Sequence, residues 1–515
     1  MIHRIDKTSP DRDTTAVLII GGSLVGLSAA CFLAWRGVPT LLVERHLGSA
    51  AHPRAIGFTA RTLELYRAIG LGERIPQVPP DARLRRARVE SLAGAWHGET
   101  AWTQPDAAPR GESSPCTGAA IAQDRLEPIL RERARELGAD LRLGSELLAF
   151  EQDESGVTAR LRDHEGRDYS VRAAYLIAAD GHRSAIRDTL GIGRSGRGFM
   201  RAARSVIFRA PIGEYLERGV SQFQIEQPDL SAFLTTYGDG RWLLILPDDV
   251  ERDDAALRAL IRKAIGRSDL GDGDIELVTT GRWEVSALIA DRFAAGRVFL
   301  AGDAAHTLPP NRGGFGANTG IEDVHNLAWK LAAVLDGRSR PALLDSYDAE
   351  RRPIAWLRHQ QIFAREDFRA MAAGTAEGAP IYPDDALELG QLLRSDAILG
   401  AGPELAPARR PDEWAGQPGT RAPHARLPDG RSTLDLFQRG WVVVADDDAW
   451  RAPAPDVACL RVGRDLPESY RAALGLEPGG ASLIRPDGYV AWRSIERPAD
   501  PAAALADALR RAACA

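Results

Sequence analysis

Gly302-Asp303-Ala304-Ala305-His306 closes a short apolar run, Val298-Phe299-Leu300-Ala301, and leads through Pro309-Pro310 to Gly313-Gly314-Phe315-Gly316-Ala317-Asn318 and a helical stretch around Asn326-Leu327-Ala328-Trp329-Lys330-Leu331. A carboxylate at a strand end can accept hydrogen bonds from sugar hydroxyls. Glycines let the backbone approach a ligand closely, and a helix N-terminus favours partial negative charge. Those residue types in that order suit a bulky polar cofactor. Near the start of the chain, Val17-Leu18-Ile19-Ile20 is followed by Gly21-Gly22-Ser23-Leu24-Val25-Gly26, and helical apolar spacing runs from Leu24 to Trp35 with Gly37 behind it. A second apolar run, Thr40-Leu41-Leu42-Val43, ends at Glu44, with Arg45 next. This is a strand-helix-strand unit carrying an acid where a ribose hydroxyl pair is read. Glu44 stands 23 positions after Gly21, close to the roughly 20 of the dinucleotide motif. Ser23 departs from the glycine pattern at its middle position, where its hydroxyl is able to donate to phosphate. A third run, Tyr175-Leu176-Ile177-Ala178-Ala179, stops at Asp180-Gly181, followed by His182-Arg183-Ser184. A tight turn is the other reading of that Asp-Gly pair.

These motifs need a parallel sheet whose strands end side by side. The fold class expected is α/β: a cofactor-binding Rossmann-type domain interrupted by a mostly antiparallel sheet, with a further domain behind. Residues 14–190 and 283–372 would form the two parts of the cofactor domain, and 191–282 the inserted sheet. Its strand-type runs are 205–209, 221–226 and 241–246, with 84–91 joining the same sheet. Helical periodicity covers 323–335 and 341–370, the latter broken or kinked at Pro353. A Gly/Pro/acid-rich linker spans 373–400. The remainder, 401–515, carries strands at 441–445, 458–462, 481–484 and 489–492, with a closing helix at 501–513.

Three fingerprints, Gly21-Gly22-Ser23-Leu24-Val25-Gly26, Ala179-Asp180-Gly181-His182-Arg183-Ser184 and Gly302-Asp303-Ala304-Ala305-His306, resemble those of the class A FAD-dependent aromatic hydroxylases. His52-Pro53-Arg54-Ala55, Arg61-Thr62-Leu63-Glu64, Gln123 with Leu126-Glu127-Pro128, and Glu350-Arg351-Arg352-Pro353 add to the resemblance, which is nearest to the bacterial aromatic-polyketide hydroxylases. Asn311-Arg312 before Gly313 departs from the family's shorter turn. The resemblance implies a thioredoxin-like C-terminal domain, structural or dimer-forming, without the C-x-x-C that dithiol chemistry needs. It implies FAD and NADPH (or NADH) as cofactors, O2 as co-substrate, and hydroxylation of a polycyclic, polyketide-derived phenol through a flavin C4a-hydroperoxide. Oxygen insertion into a C–C bond, and a flavin-binding protein without oxygenase activity, are the alternatives.

Position by position, the resemblance assigns Glu44 and Arg45 to the adenosine ribose, and Gly21, Ser23, Leu24 and Gly26 to the pyrophosphate turn. Arg54 and Gln123 go to the phosphate and ribityl region, Asp180 to the pyrophosphate side and Asp303 to the ribityl or phosphate end. Pro310, Gly313, Gly314, Gly316, Ala317 and Asn318 go to the isoalloxazine edge. Pro310 would also wall the reacting centre, and Tyr237 and Arg365 would polarise or orient a phenol, a packed tyrosine and a surface arginine being the competing readings. His306 reads as a packed, hydrogen-bonded histidine rather than a general base.

Composition closes other classes. The net charge of −6 leaves no basic footprint for nucleic acid. Cys31, Cys116, Cys459 and Cys514 form no metal or disulfide pattern and fit a reducing cytoplasm. No apolar run approaches the roughly 20 residues of a membrane helix, and residues 1–13 lack the apolar core of a signal peptide. The expectation is a cytoplasmic monomer or homodimer with no metal.

Overall fold

The computed structural model describes residues 12–50, 52–53, 55–80, 84–100, 112–247, 250–310, 314–365, 378–452 and 454–515. Continuous β-branched and leucine runs make strands buried on both faces, as a parallel sheet requires. Val17, Leu18, Ile19, Leu176 and Ile177 have no exposed surface. Strand Arg12–Ile20 lies at the centre of the first sheet, between Asp168–Ala178 and Thr40–Glu44, with Val298–Leu300 beyond the former and Asp140–Leu143 beyond the latter. The register sets Ile20 level with Ala178 and Val43, and Ala178 level with Leu300. All five strands are parallel, so their carboxyl ends, and the three motifs that follow three of them, open onto one edge. Such an edge is where open α/β sheets bind nucleotides.

Helix Leu24–Trp35 is apolar all round and accordingly buried, Leu24 through Ala34 being covered except Val25. Helix Phe315–Leu335 is nearly as buried over its 21 residues. Helix Asp345–Ala364 runs through Pro353 without ending there. Proline removes one intrahelical donor, but Ile354, Ala355 and Leu357 are buried behind it, and that packing holds the next turn in place.

The second sheet runs in the order His306–Thr307, Glu276–Ala290, Arg194–Arg209, Arg241–Pro247, Leu230–Thr236, Gln222–Gln227, Arg86–Val89, Trp96–Thr100. It is antiparallel apart from the Gln222–Gln227/Arg86–Val89 pair. Strand Leu230–Thr236 was not among the runs read from the sequence. Amphipathic helix Asp254–Ile265 covers one face, burying Val206, Phe223, Leu234 and Leu244. The third sheet, Ala458–Arg461, Val442–Ala445, Ala481–Ile484, Val490–Ser494, packs against helix Pro501–Ala512. Its core is continuous with Trp329 and Ala333 of helix Phe315–Leu335. The four cysteines are free thiols, and burial pushes Cys31 and Cys116 up to about 12. No helix among the described residues is long and apolar enough to cross a membrane.

Candidate functional site

The first turn is built by close approaches that only glycine allows. Gly21 has φ of +108°, and a Cβ there would stand 2.2 Å from the Ala179 carbonyl oxygen. A Cβ on Gly26 would stand 1.8 Å from the Gly21 oxygen. The helix start is thereby pressed onto the strand end, with the Asp180 loop against it. Glu44 reaches back into the same turn: its Oε2 accepts from the Gly22 N–H at 2.6 Å and its Oε1 from the His46 N–H at 2.9 Å. Arg45 is exposed beside it. Ser23 and Gln123 meet although 100 positions apart, Gln123 Nε2 donating to Ser23 Oγ at 2.9 Å and to Glu127 Oε1 at 2.8 Å. Ser23 Oγ itself donates to Glu127 Oε1 at 2.8 Å, so its proton is committed to a carboxylate and is not held for phosphate. Glu127, noted in the sequence only as a family match, is the residue that fixes this group.

Asp180 offers a direct test of whether a hydroxyl-rich cofactor fits. Its Oδ2 accepts from the Ile186 N–H at 3.3 Å, while Oδ1 is buried without a hydrogen-bond partner. Burial raises its carboxyl above the usual range, offset in part by Ser184. An orphaned acceptor is costly unless something donates to it, and a cofactor hydroxyl at the adjoining edge would do so. The residues present fit FAD.

Asp303 sits half-buried in the turn Gly302–Ala304. That turn is clamped between helices: a Cβ on Gly302 would lie 2.8 Å from Val25 Cγ2, and one on Gly320 would lie 2.8 Å from the Gly302 Cα. Gly320 was missed in the sequence because its partner is 18 residues away and reached only by folding. Gly314 caps helix Phe315–Leu335 with φ of +58°, and its missing Cβ clears the Gly57 carbonyl. Gly316 faces open space, Ala317 is half-buried, and Pro310 is exposed while Pro309 is buried. The first N–H groups of such a helix have no intrahelical acceptor, so they are available to a ligand. The side chain of Asn318 is not. It donates to the Gly57 and Gly314 carbonyls at 3.2 and 2.8 Å, and its Oδ1 accepts from the Thr59 N–H and the Thr62 hydroxyl at 3.1 and 2.6 Å. Asn318 staples the loop beneath the helix start. Arg54 and Gly313 lie outside the described residues.

Tyr237 and Arg365 have other employment. Tyr237 donates its hydroxyl to the Pro53 carbonyl at 2.8 Å, and burial pushes the phenol well above its ordinary range. Arg365 follows the end of helix Asp345–Ala364, buried, and its Nη1 donates to Asp384 Oδ1 at 2.6 Å and to the Tyr382 carbonyl at 3.1 Å. Both side chains dock one segment on another. His306 is packed as the sequence led us to expect: its Nε2 lies 2.7 Å from Asp323 Oδ2, with both side chains fully buried. Burial alone would raise Asp323, but His306 and Arg351 hold its carboxyl below the usual range. No group of three potential metal ligands occurs among the described residues.

Residues 14–361 match the model of the FAD binding domain family, and 415–514 match that of the aromatic-ring hydroxylase C-terminal family. The chain belongs to the FAD-dependent aromatic-ring hydroxylases and is a flavin monooxygenase of that group. It is similar to 4-methyl-5-nitrocatechol 5-monooxygenase of a Burkholderia species, 40% identical with 99% of each chain covered. It is also similar to aklavinone 12-hydroxylase of Streptomyces purpurascens, 38% identical with 96% of this chain and 98% of that one covered. Among solved structures, aklavinone-11 hydroxylase in ternary complex with FAD and aklavinone superposes with a TM-score of 0.86 at 36% identity, covering 97% of this chain and 99% of that one.

Proposed function

We propose that this enzyme uses NAD(P)H and O2 to hydroxylate a polycyclic, polyketide-derived phenol. The observation that carries the reading is the shared carboxyl edge of four parallel strands, at whose ends Gly21, Glu44, Asp180 and Asp303 stand. Bound FAD would supply the redox and oxygen-transfer chemistry. The chain's own residues would do the rest. Glu44 is oriented by the Gly22 N–H to accept from ribose hydroxyls. The Gly21–Gly26 turn would admit pyrophosphate, Asp180 Oδ1 would accept a hydrogen bond from the cofactor on that side, and Asp303 would accept from its ribityl hydroxyls. The N-terminus of helix Phe315–Leu335 would offer partial positive charge to the cofactor. The buried Pro309 and the second sheet would help to exclude water, which an oxygen-transfer site requires to avoid wasted turnover. The sequence carries one dinucleotide fingerprint, so NADPH or NADH would bind transiently without a domain of its own. Phenol hydroxylases that keep the carbon skeleton differ from ring-opening oxygenases in their products.

The decisive experiment measures NADPH consumption by the purified yellow protein with and without a panel of polycyclic phenols, recording oxygen uptake and H2O2 together. Stimulation with little H2O2, and a product one oxygen heavier whose carbon skeleton is intact by NMR, is the expected result. Phenol-independent oxidation across the panel, or stimulation that yields only H2O2, would overturn the proposal.

A further inference from the structure

Side chains alternate between the faces of a strand. Phe223, Leu234, Trp242 and Leu244 pack under helix Asp254–Ile265, so Gln222, Phe233, Leu243 and Ile245 point the other way. That second face is turned toward the cofactor-binding part of the chain. On it, the Ser205 hydroxyl lies 2.9 Å from His52 Nε2, and Arg241 pairs with Asp124 at 2.7 Å. On the same face Phe233, Leu243 and Ile245 are only half-buried, and none belongs to a hydrophobic cluster among the described residues. Cross-strand pairing aligns Ser205, Ile245, Phe233 and Gln224 in one row. The row crosses three strand spacings, roughly 14 Å, longer than a single substituted ring needs and suited to linearly fused rings.

The ends of this wall differ. Strand His306–Thr307, which leads into the Pro309-Pro310 loop, flanks one edge of the sheet, and strands Gln222–Gln227 and Arg86–Val89 lie toward the other. The far end is polar: Arg86 Nη2 donates to Gln224 Oε1 at 2.9 Å, and its guanidinium carbon lies 5.1 Å from the centroid of the Phe233 ring. Gln222, paired with Arg86 in register, is unlike its neighbours. Its Oε1 is buried with no hydrogen-bond partner. A buried carbonyl left unpaired lowers stability, and a donor on a ligand lying along this wall would satisfy it.

We propose that Gln222 is a specificity-determining residue that accepts a hydrogen bond from a hydroxyl on the terminal ring of a polycyclic phenol, the ring remote from the cofactor. Arg86 beside it faces the oxygen substituents of the same ring. The inference rests on the hydroxylase reading and adds to it a requirement for oxygen at the distal end.

The test is a titration of the holoenzyme, read by flavin absorbance, with a naphthacenequinone phenol bearing a terminal-ring hydroxyl and with the same compound lacking it. Gln222→Met removes the amide at nearly constant volume, and Gln222→Glu keeps an acceptor. For Gln222→Met we expect Kd for the hydroxylated compound to rise about tenfold, while Kd for the other compound changes less than about twofold. Gln222→Glu should retain the preference. Flavin content and Tm, recorded for each variant, report folding. Equal shifts for both compounds, or no shift for either, would overturn the role of Gln222 while the wild type still shows phenol-stimulated oxygen uptake. A wild type that binds neither compound and shows no such uptake would overturn the hydroxylase reading and this inference together.

Discussion

At the scale of single residues, the site depends on what is missing from side chains as much as on what is present. Gly26→Ala would drive a methyl group to 1.8 Å from the Gly21 carbonyl oxygen. Helix Leu24–Trp35 would have to lift from the strand that positions the pyrophosphate turn. We expect flavin content below one tenth of wild type and a lower Tm, checked by absorbance and calorimetry; a yellow Gly26→Ala protein of unchanged Tm would contradict the close approach. Asp303→Ala separates ligand binding from folding, because Asp303 is half-buried in a turn whose backbone is clamped by Val25 and Gly320. The variant should purify largely colourless with its secondary structure intact by circular dichroism, and undiminished flavin would remove Asp303 from the cofactor. Glu44, Asp180 and Asp303 were legible in the sequence because each ends an apolar run, a one-dimensional signal. Ser23 and Asn318 were singled out as well, but their bonding was not legible, because it goes to Gly57, Thr59, Gln123 and Glu127, partners that only tertiary structure brings near.

Elements were readable where their own periodicity decided them and obscure where packing did. The parallel strands announced themselves as uninterrupted apolar runs, and Leu24–Trp35 as a helix between two of them. Strand Leu230–Thr236 is held by neighbours on both sides, and helix Asp345–Ala364 continues through Pro353 because the following turn is buried. That helix also carries His359, packed at 5.2 Å from the Trp356 ring and 5.1 Å from the Phe363 ring. Burial, reinforced by the Arg197 charge, lowers His359 from 6.5 to about 4. Below pH 6.5 the unfolded chain takes up a proton that the folded chain refuses, so stability falls as pH drops from 6.5 toward 4 and levels off below. His325, on helix Phe315–Leu335, is likewise lowered by burial, then by Arg61 and Arg36, and acts in the same direction. Tm should therefore decline between pH 6.5 and 4.5. His359→Gln should flatten that decline, and an unchanged slope would show that His359 is proton-accessible in the fold.

For the molecule as a whole, the question is whether the C-terminal domain is an attachment or part of one folding unit. The sequence showed four strands and a helix behind a linker, the pattern of an independent module. The structure joins them to the cofactor domain through buried charge. Glu350 accepts from Arg485 at 2.6 and 2.9 Å and from Lys330 at 2.9 Å, with all three side chains fully buried. Arg485 also pairs with Asp487, which accepts from Trp329 Nε1 at 3.0 Å. Burial alone would raise Glu350, but Arg485 and Lys330 hold its carboxyl well below the usual range, and burial lowers Lys330 to about 8. Arg421 adds a second link to Glu64 at 3.2 Å. Such pairs add little over well-packed apolar residues, yet removing one partner strands the others and costs about 3–5 kcal/mol. Arg485→Met leaves Glu350 and Asp487 facing each other without their shared cation. We expect the wild type to unfold in a single calorimetric transition, and Arg485→Met to lower that transition as a unit rather than split off residues 401–515. Two resolved transitions in the wild type, or an Arg485→Met protein of unchanged Tm, would return the C-terminal domain to the status of a module. The single transition follows from the shared part of the core: Trp329 lies edge-on to Trp441 at 5.9 Å, and Trp329, Ala333 and Leu343 pack in one cluster with Val443, Leu483 and Leu505.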